Sequence, residues 1–295
     1  MTTAYLAARG FEAQLRDELE HAGVAHGRLL ICDEALPSAW AANIWHDCVA
    51  LPVESVGKAA SALREIQRNW AMYAPIHHRR AALIQQRLPH VSAKPIVFPA
   101  AAPTAPLGSW TLLAPDRLLA AARCSSPFAN GEVEFVEDKS GPPNRAYLKL
   151  WEALCRLGRW PKRGERCLDL GASPGGWTWA LAKLGAKVIA VDKAPLDPRI
   201  AAMPGVAWRG ESAFALDPQS VGAVDWLFSD IACYPARLLR LVERWRASGL
   251  VGNFVCTVKF QGRTDHAAAA AFAALPGARV VHLHHNKHEL TLLLG

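Results

Sequence analysis

The sequence predicts an α/β fold built on an open, mostly parallel sheet, and three observations point to it. A glycine-rich turn at 171–176 lies between a short apolar strand and a segment of helical composition. Apolar strands then alternate with helical stretches through the C-terminal half. The last two strands are close enough in the chain to pair as an antiparallel hairpin. Hydrophobic residues make up 51% of the 295 and charged residues 20%, which supports packed cores and excludes a disordered chain. The length suits two modest domains, or one large domain with an appendage.

Residues 3–9 predict a strand and residues 10–22 a helix, with Phe11, Leu15 and Leu19 at helical spacing. A further strand is expected near Leu29 to Cys32. Residues 55–70 read as an amphipathic helix with Val56, Ala60, Leu63 and Ile66 on one face. These elements predict a small N-terminal α/β domain over 1–92. Pro95, Pro99, Pro103 and Pro106 then disfavour both helix and sheet. Residues 93–123 therefore read as a Pro-rich linker with connecting strands, and two or three short strands are expected within 109–137.

The domain expected over 124–295 opens with Pro142 and Pro143 ahead of a helix from about Arg145 to Leu157. Strands are predicted at 166–170, 187–192, 205–209, 224–229, 252–259, 279–284 and 288–294. The alanine tract Ala267 to Ala274, broken by Phe272, reads as a packed helix.

The net charge is +7. Residues 1–123 carry 12 basic and 10 acidic side chains, and residues 124–295 carry 21 and 16, so the excess lies with the glycine turn. That balance permits an anionic partner. The seven cysteines show neither a Cys-x-x-Cys pair nor Cys/His zinc spacing. This predicts reduced thiols in a cytoplasmic protein and no metal site. The N-terminus is not a secretory signal and no apolar run reaches the length of a membrane span, so no membrane association is expected.

Cys167 to Leu170 form the strand before the turn, and Trp177 to Leu184 the helix after it. Glycines let a backbone approach a ligand closely, and a helix N-terminus offers unpaired N–H groups. The spacing Gly171-Ala172-Ser173-Pro174-Gly175-Gly176 is neither Gly-x-Gly-x-x-Gly nor a phosphate loop. Alone, it fits a structural turn as well as a ligand cradle. Asp169 and Gly171 fall at the strand's carboxyl end, where open α/β sheets bind ligands. The next strand, Lys187 to Val191, ends in Asp192. That acid lies about twenty residues past the turn, where a carboxylate either holds a ribose or caps a helix.

The run Asp169 to Trp177, Asp-Leu-Gly-Ala-Ser-Pro-Gly-Gly-Trp, resembles the signature of the FtsJ-type ribose 2′-O-methyltransferases. The resemblance covers roughly residues 124–295 and implies a class I, Rossmann-like methyltransferase domain. Its expected sheet is seven-stranded and mostly parallel, with a terminal antiparallel hairpin. The implied cofactor is S-adenosylmethionine, with Asp169, Gly171, Ser173, Pro174, Gly175, Gly176, Trp177, Asp192, Glu211 and Asp230 as its candidate contacts. The ordinary role of Trp177 would be packing its own helix. The family also carries a dispersed Lys-Asp-Lys-Glu tetrad. The matching positions here are Lys149 in Arg145-Ala146-Tyr147-Leu148-Lys149-Leu150, Asp230 in Ser229-Asp230-Ile231, Lys259 in Val258-Lys259-Phe260, and Glu289 in His288-Glu289-Leu290.

Within that family the sequence looks most like the bacterial RlmM type, which methylates a cytidine ribose in 23S rRNA. Ser126-Pro127-Phe128, Pro235-Ala236-Arg237 with Trp245, and Ala8-Arg9-Gly10-Phe11-Glu12 carry this likeness. It implies an RNA substrate, and Arg145 is the candidate phosphate contact. That type places a longer region, including a THUMP RNA-binding domain, before the catalytic domain. About 120 residues stand there in this sequence, so the region looks shortened.

A ribose hydroxyl is a poor nucleophile at neutral pH and needs a base or a cation. Lys259 is the candidate for that role, Lys149 for a neighbouring cation, and Asp230 and Glu289 for orienting the two lysines. Amino-group methyltransferases often place Asn/Asp-Pro-Pro-Tyr after the fourth strand, and Ser229-Asp230-Ile231-Ala232 does not match. Two alternatives stay open: a 2′-O-methyltransferase of another RNA such as tRNA, and a catalytically silent RNA-binding module. Trp40, Trp45 and Trp70 either pack cores or stack on RNA bases. His77-His78-Arg79-Arg80 either meets phosphate or ends a solvated helix.

Overall fold

The computed structural model describes all 295 residues and divides them into two units. The first holds residues 1–96 and 102–134, and the second holds residues 97–101 and 135–295.

The first unit begins with β1 (Thr3–Ala7), α1 (Glu12–Glu18), β2 (Val24–His26), β3 (Leu29–Cys32) and β4 (Ala41–His46). It continues through β5 (Val49–Pro52), α2 (Val56–Ile66), β6 (Trp70–Met72) and α3 (His78–Gln85). It ends with β7 (Gly108–Ala114), β8 (Arg117–Ala121) and β9 (Arg123–Cys124). These strands build two sheets, ordered β2-β3-β1-β4-β9 and β5-β8-β7-β6. Helix α2 starts where Ser55 Oγ accepts the Lys58 N–H at 3.1 Å. It buries Ala59, Ala60 and Leu63 against Trp70, Ile84, Trp110 and Leu118. Trp40, Trp45 and Trp70 are all at most 1% exposed, which leaves none of them free to stack on a base.

The expected boundaries at 93 and 124 shift. Strands β7 and β8 pair with β5 and β6, so residues 102–134 complete the first unit instead of linking it to a second. Residues 97–101 of the Pro-rich stretch pack with the second unit. There Phe98 stacks on Trp151, with ring centroids 5.0 Å apart and planes 13° from parallel.

The second unit runs α4 (Tyr147–Leu157), β10 (Arg166–Leu170), α5 (Gly176–Lys183), β11 (Lys187–Val191), α6 (Pro198–Ala201) and β12 (Val206–Arg209). Then come α7 (Pro218–Val221), β13 (Val224–Ser229), α8 (Pro235–Ala247), β14 (Val251–Lys259), α9 (His266–Ala273), β15 (Arg279–Val281) and β16 (Glu289–Leu294). One sheet results, ordered β12-β11-β10-β13-β14-β16-β15. The strands from β12 to β14 pair in parallel, and β16 is antiparallel to both of its neighbours. Near-continuous burial from Phe254 to Val258 and from Glu289 to Leu294 fits strands covered on both faces. Helix α8 covers part of the sheet with Leu238, Leu241, Val242 and Trp245, one helical face. No helix of the chain is long and apolar enough to cross a membrane.

This strand order positions the site. From β10 the chain moves outward through β11 to β12, then crosses back to β13 on the other side of β10. The reversal opens a crevice at the carboxyl ends of β10 and β13, the usual ligand position in an open α/β sheet. The glycine turn follows β10, and Asp230 follows β13.

Candidate active site

The turn after β10 is shaped by its neighbours. Gly171 has φ +78°, and a Cβ there would lie 2.8 Å from Ile231 Cγ1. Gly175 has φ +115°, and a Cβ there would lie 2.8 Å from Ile200 Cγ2. Both positions need glycine for conformation and for space. A Cβ at Gly176 would meet the side chain of Asn144. Asp192 ties the turn to the loop after β11, accepting the Ser173 N–H at 3.1 Å and the Ala194 N–H at 2.9 Å. The Ser173 hydroxyl donates to the Pro195 carbonyl at 2.8 Å. Pro174 is exposed within the turn. The Trp177 indole is buried, donates to the Ala146 carbonyl at 2.9 Å and packs edge-on to Phe228, so its visible role is packing.

Asp169 is 1% exposed on β10. One carboxylate oxygen accepts the Thr178 hydroxyl at 2.6 Å, and the other, Oδ1, has no hydrogen-bond partner in the protein. Burial pushes its pKa up to about 7. Asp230 and Asp192 add to that shift, while the Thr178 hydrogen bond opposes it. A buried carboxylate with an open oxygen suits a cationic ligand group, which would supply the missing partner.

Four charged residues converge beside this turn. Lys149, near the start of α4, places Nζ 2.9 Å from Asp230 Oδ1 and 2.9 Å from Glu289 Oε1. Lys259, at the end of β14, places Nζ 3.1 Å from the same Asp230 oxygen and donates to the Asp230 carbonyl at 2.6 Å. Lys259 and Glu289 face each other across the antiparallel β14·β16 ladder. Burial opposes the charge of Lys149, but Asp230 and Glu289 outweigh it and raise its pKa. Lys149 is therefore a held cation. The Lys149 side chain is 11% exposed and that of Lys259 25%, so Lys259 is the lysine better placed to meet a substrate.

Two candidates stand apart from this group. Glu211 follows β12, is exposed and lies 3.8 Å from Arg209. Arg145, also exposed, forks onto Glu137 at 3.1 and 2.7 Å. It borders a cleft of about 520 Å³ lined by Glu137, Asp138, Pro142, Asn144, Arg145 and Tyr147, none of which belongs to the charged quartet. Sequence reasoning missed Thr178, the partner of Asp169, although it directly follows the motif. It also missed Asn144, packed against Gly176, and Glu152 on α4.

Residues 142–275 match the FtsJ-like methyltransferase family. A ribosomal RNA large subunit methyltransferase M from Halorhodospira halophila is 35% identical over 158 residues, covering 51% of this chain and 46% of its own length. The protein of that name from Saccharophagus degradans is 44% identical over 121 residues, covering 39% and 34%. The solved Methanococcus jannaschii fibrillarin pre-rRNA processing protein overlaps 49% of this chain and 73% of its own, at 20% identity and a TM-score of 0.37, a likeness too slight to bear on function. Over residues 142–275 the second unit is thus similar to α/β methyltransferases of FtsJ type. Within that type it is similar to the large-subunit ribosomal RNA methyltransferases M, and the chain spans about half the length of the curated relatives it matches.

Proposed function

We propose that the protein is an S-adenosylmethionine-dependent RNA ribose 2′-O-methyltransferase acting in the cytoplasm on a cytidine of 23S rRNA. The observation that carries this reading is the convergence of Lys149, Asp230, Lys259 and Glu289 beside the glycine turn, at the sheet's switch point. The cofactor fits the residues present. The glycine turn admits close backbone approach, and Asp169 Oδ1 is a buried acceptor awaiting a cationic donor. Asp169, the 171–176 turn and Asp192 would hold the cofactor, with Glu211, after β12, as a further candidate contact. Bound there, S-adenosylmethionine supplies an electrophilic methyl group on a sulfonium.

The chain's own residues then handle the ribose hydroxyl. Lys149 stays charged between two carboxylates, so it does not serve as the base. Lys259 takes the hydroxyl proton or stabilises the developing alkoxide. Asp230 fixes Lys259 from two atoms, its Oδ1 and its backbone carbonyl, and Glu289 helps neutralise Lys149. Because no covalent enzyme intermediate is involved, this positioning carries much of the rate.

Cofactor affinity is expected to follow the ionisation of Asp169. A carboxyl with its folded pKa raised to about 7 favours the protonated folded state. Its contribution to stability is full below the ordinary carboxylate pKa of about 4 and is lost as pH rises through about 7. A cationic ligand binds the ionised form, so affinity for S-adenosylmethionine should rise between about pH 6 and pH 8 and then level off. Asp169→Asn should flatten that rise and weaken binding by about 10- to 100-fold, the worth of one charge-assisted hydrogen bond. Calorimetric titration across pH checks both. A flat wild-type profile contradicts this placement of Asp169.

The substrate is tested with labelled S-adenosylmethionine and total RNA from cells lacking the gene. Label in 23S rRNA is the expected result. Label confined to tRNA moves the target, and cofactor binding without transfer to any RNA favours a silent RNA-binding module.

A further inference from the structure

Glu152 is fully buried on α4, one helical turn from Lys149. A carboxylate at 0% exposure costs several kcal/mol to desolvate unless every lone pair is met. Here they are met, and the bonds go to two places. Oε1 accepts Arg156 Nε at 2.9 Å and the His284 N–H at 2.9 Å. Oε2 accepts the His285 N–H at 3.0 Å and lies 2.9 Å from His285 Nδ1. Burial works against the charge, but Arg156, His285 and the His284 N–H hold the carboxyl down at about 2. Glu152 is thus held as the anion by the groups it bonds.

The segment it grips leads directly into Glu289. Asn286 donates to the Glu289 carbonyl at 3.2 Å and to Thr291 Oγ1 at 3.1 Å. The Lys287 N–H lies 3.3 Å from Glu289 Oε1, the same oxygen that receives Lys149. Residues three apart on a helix share a face, so α4 presents Lys149 and Glu152 side by side. One rigid helix therefore fixes both partners of the Lys149–Glu289 pair, Lys149 directly and Glu289 through the 284–288 turn. Shape alone does not call for a buried ion pair here, since a well-packed apolar residue of similar volume is often as stable. What the carboxylate adds is direction, because it takes two consecutive backbone N–H groups and the ring of one residue.

We infer that Glu152 is a positioning residue for methyl transfer: it anchors the His284–His285 turn to α4 and so sets the Glu289 carboxylate against Lys149. This rests on the tetrad reading proposed above. Glu152→Gln keeps the volume but loses the charge and puts an N–H₂ where an acceptor stood. It should lower kcat by about 10- to 100-fold, the cost of a misplacement near 1 Å, with KM for RNA and S-adenosylmethionine affinity nearly unchanged. His285→Ala removes one bond from the other side of the link. It should give a smaller loss of the same kind, and it keeps the test open should Glu152→Gln fold poorly. In a Glu289→Gln background, Glu152→Gln should cost little more, because both changes act through one carboxylate.

Amide hydrogen exchange of the full chain supplies a readout independent of activity. Residues 284–289 should exchange faster in both variants while the β10–β14 core stays protected. Unchanged kcat with unchanged exchange overturns the inference. So does a kcat loss that is fully additive with Glu289→Gln or matched by an equal loss of cofactor affinity. If wild-type protein transfers no methyl group, the functional reading fails instead, and hydrogen exchange still decides whether Glu152 orders the turn.

Discussion

Lys259→Ala is expected to slow methyl transfer by about 10³-fold and to leave S-adenosylmethionine binding within about twofold of wild type. The lysine meets Asp230 and the crevice, while the candidate cofactor contacts other than Asp230 and Glu211 lie on β10, β11 and the turns and helix start that follow them. Stability should change by no more than about 1 kcal/mol, because Lys259 is partly solvated and Asp230 keeps Lys149 as a partner. Single-turnover rates and calorimetric binding of the same protein separate these effects. A wild-type rate in the variant removes Lys259 from the chemistry.

Lys149→Ala should behave differently, although the two lysines share one carboxylate oxygen. Lys149 is the better buried of the pair and balances both Asp230 and Glu289. Removing it leaves two carboxylates facing each other across the space the ammonium held. Breaking a buried pair in this way costs about 3–5 kcal/mol. Methyl transfer should fall with it, because Asp230 and Glu289 lose the cation that spaces them. Denaturant unfolding of the two alanine variants side by side is the check. Equal stability in both contradicts the assignment of Lys149 as the buried structural cation and Lys259 as the reactive one.

Much of the second unit was legible in the sequence because its strands are continuous apolar runs with sharp ends. The strands predicted at 166–170 and 224–229 coincide with β10 and β13, and the remaining five begin or end within a few residues of those observed. Short elements were not legible. Three residues such as Val24–His26 or Trp70–Met72, and four such as Pro198–Ala201, carry too little periodicity to stand out from a loop. The two-sheet build of the first unit was hidden for a related reason. Strands β7 and β8 follow a proline-rich stretch yet complete a sheet begun some sixty residues earlier.

The charged quartet could be picked out only by its resemblance to a family pattern. Lys149, Asp230, Lys259 and Glu289 are spread over 141 residues, and the fold, not local spacing, brings them together. Glu152 lay beyond reach altogether. A glutamate on an amphipathic helix ordinarily reads as part of the solvated face, and nothing in the local sequence shows that this one faces His284 and His285 at 0% exposure.

The most direct test of the central claim is the chemical position of the transferred methyl group. RNA labelled by the wild-type protein from S-adenosylmethionine would be hydrolysed in alkali, where a 2′-O-methyl blocks cleavage of the adjacent phosphodiester. Label in an alkali-resistant dinucleotide beginning with cytidine is the predicted result. Label released as a methylated base in ordinary mononucleotides would contradict a ribose-directed site built on Lys149, Asp230, Lys259 and Glu289.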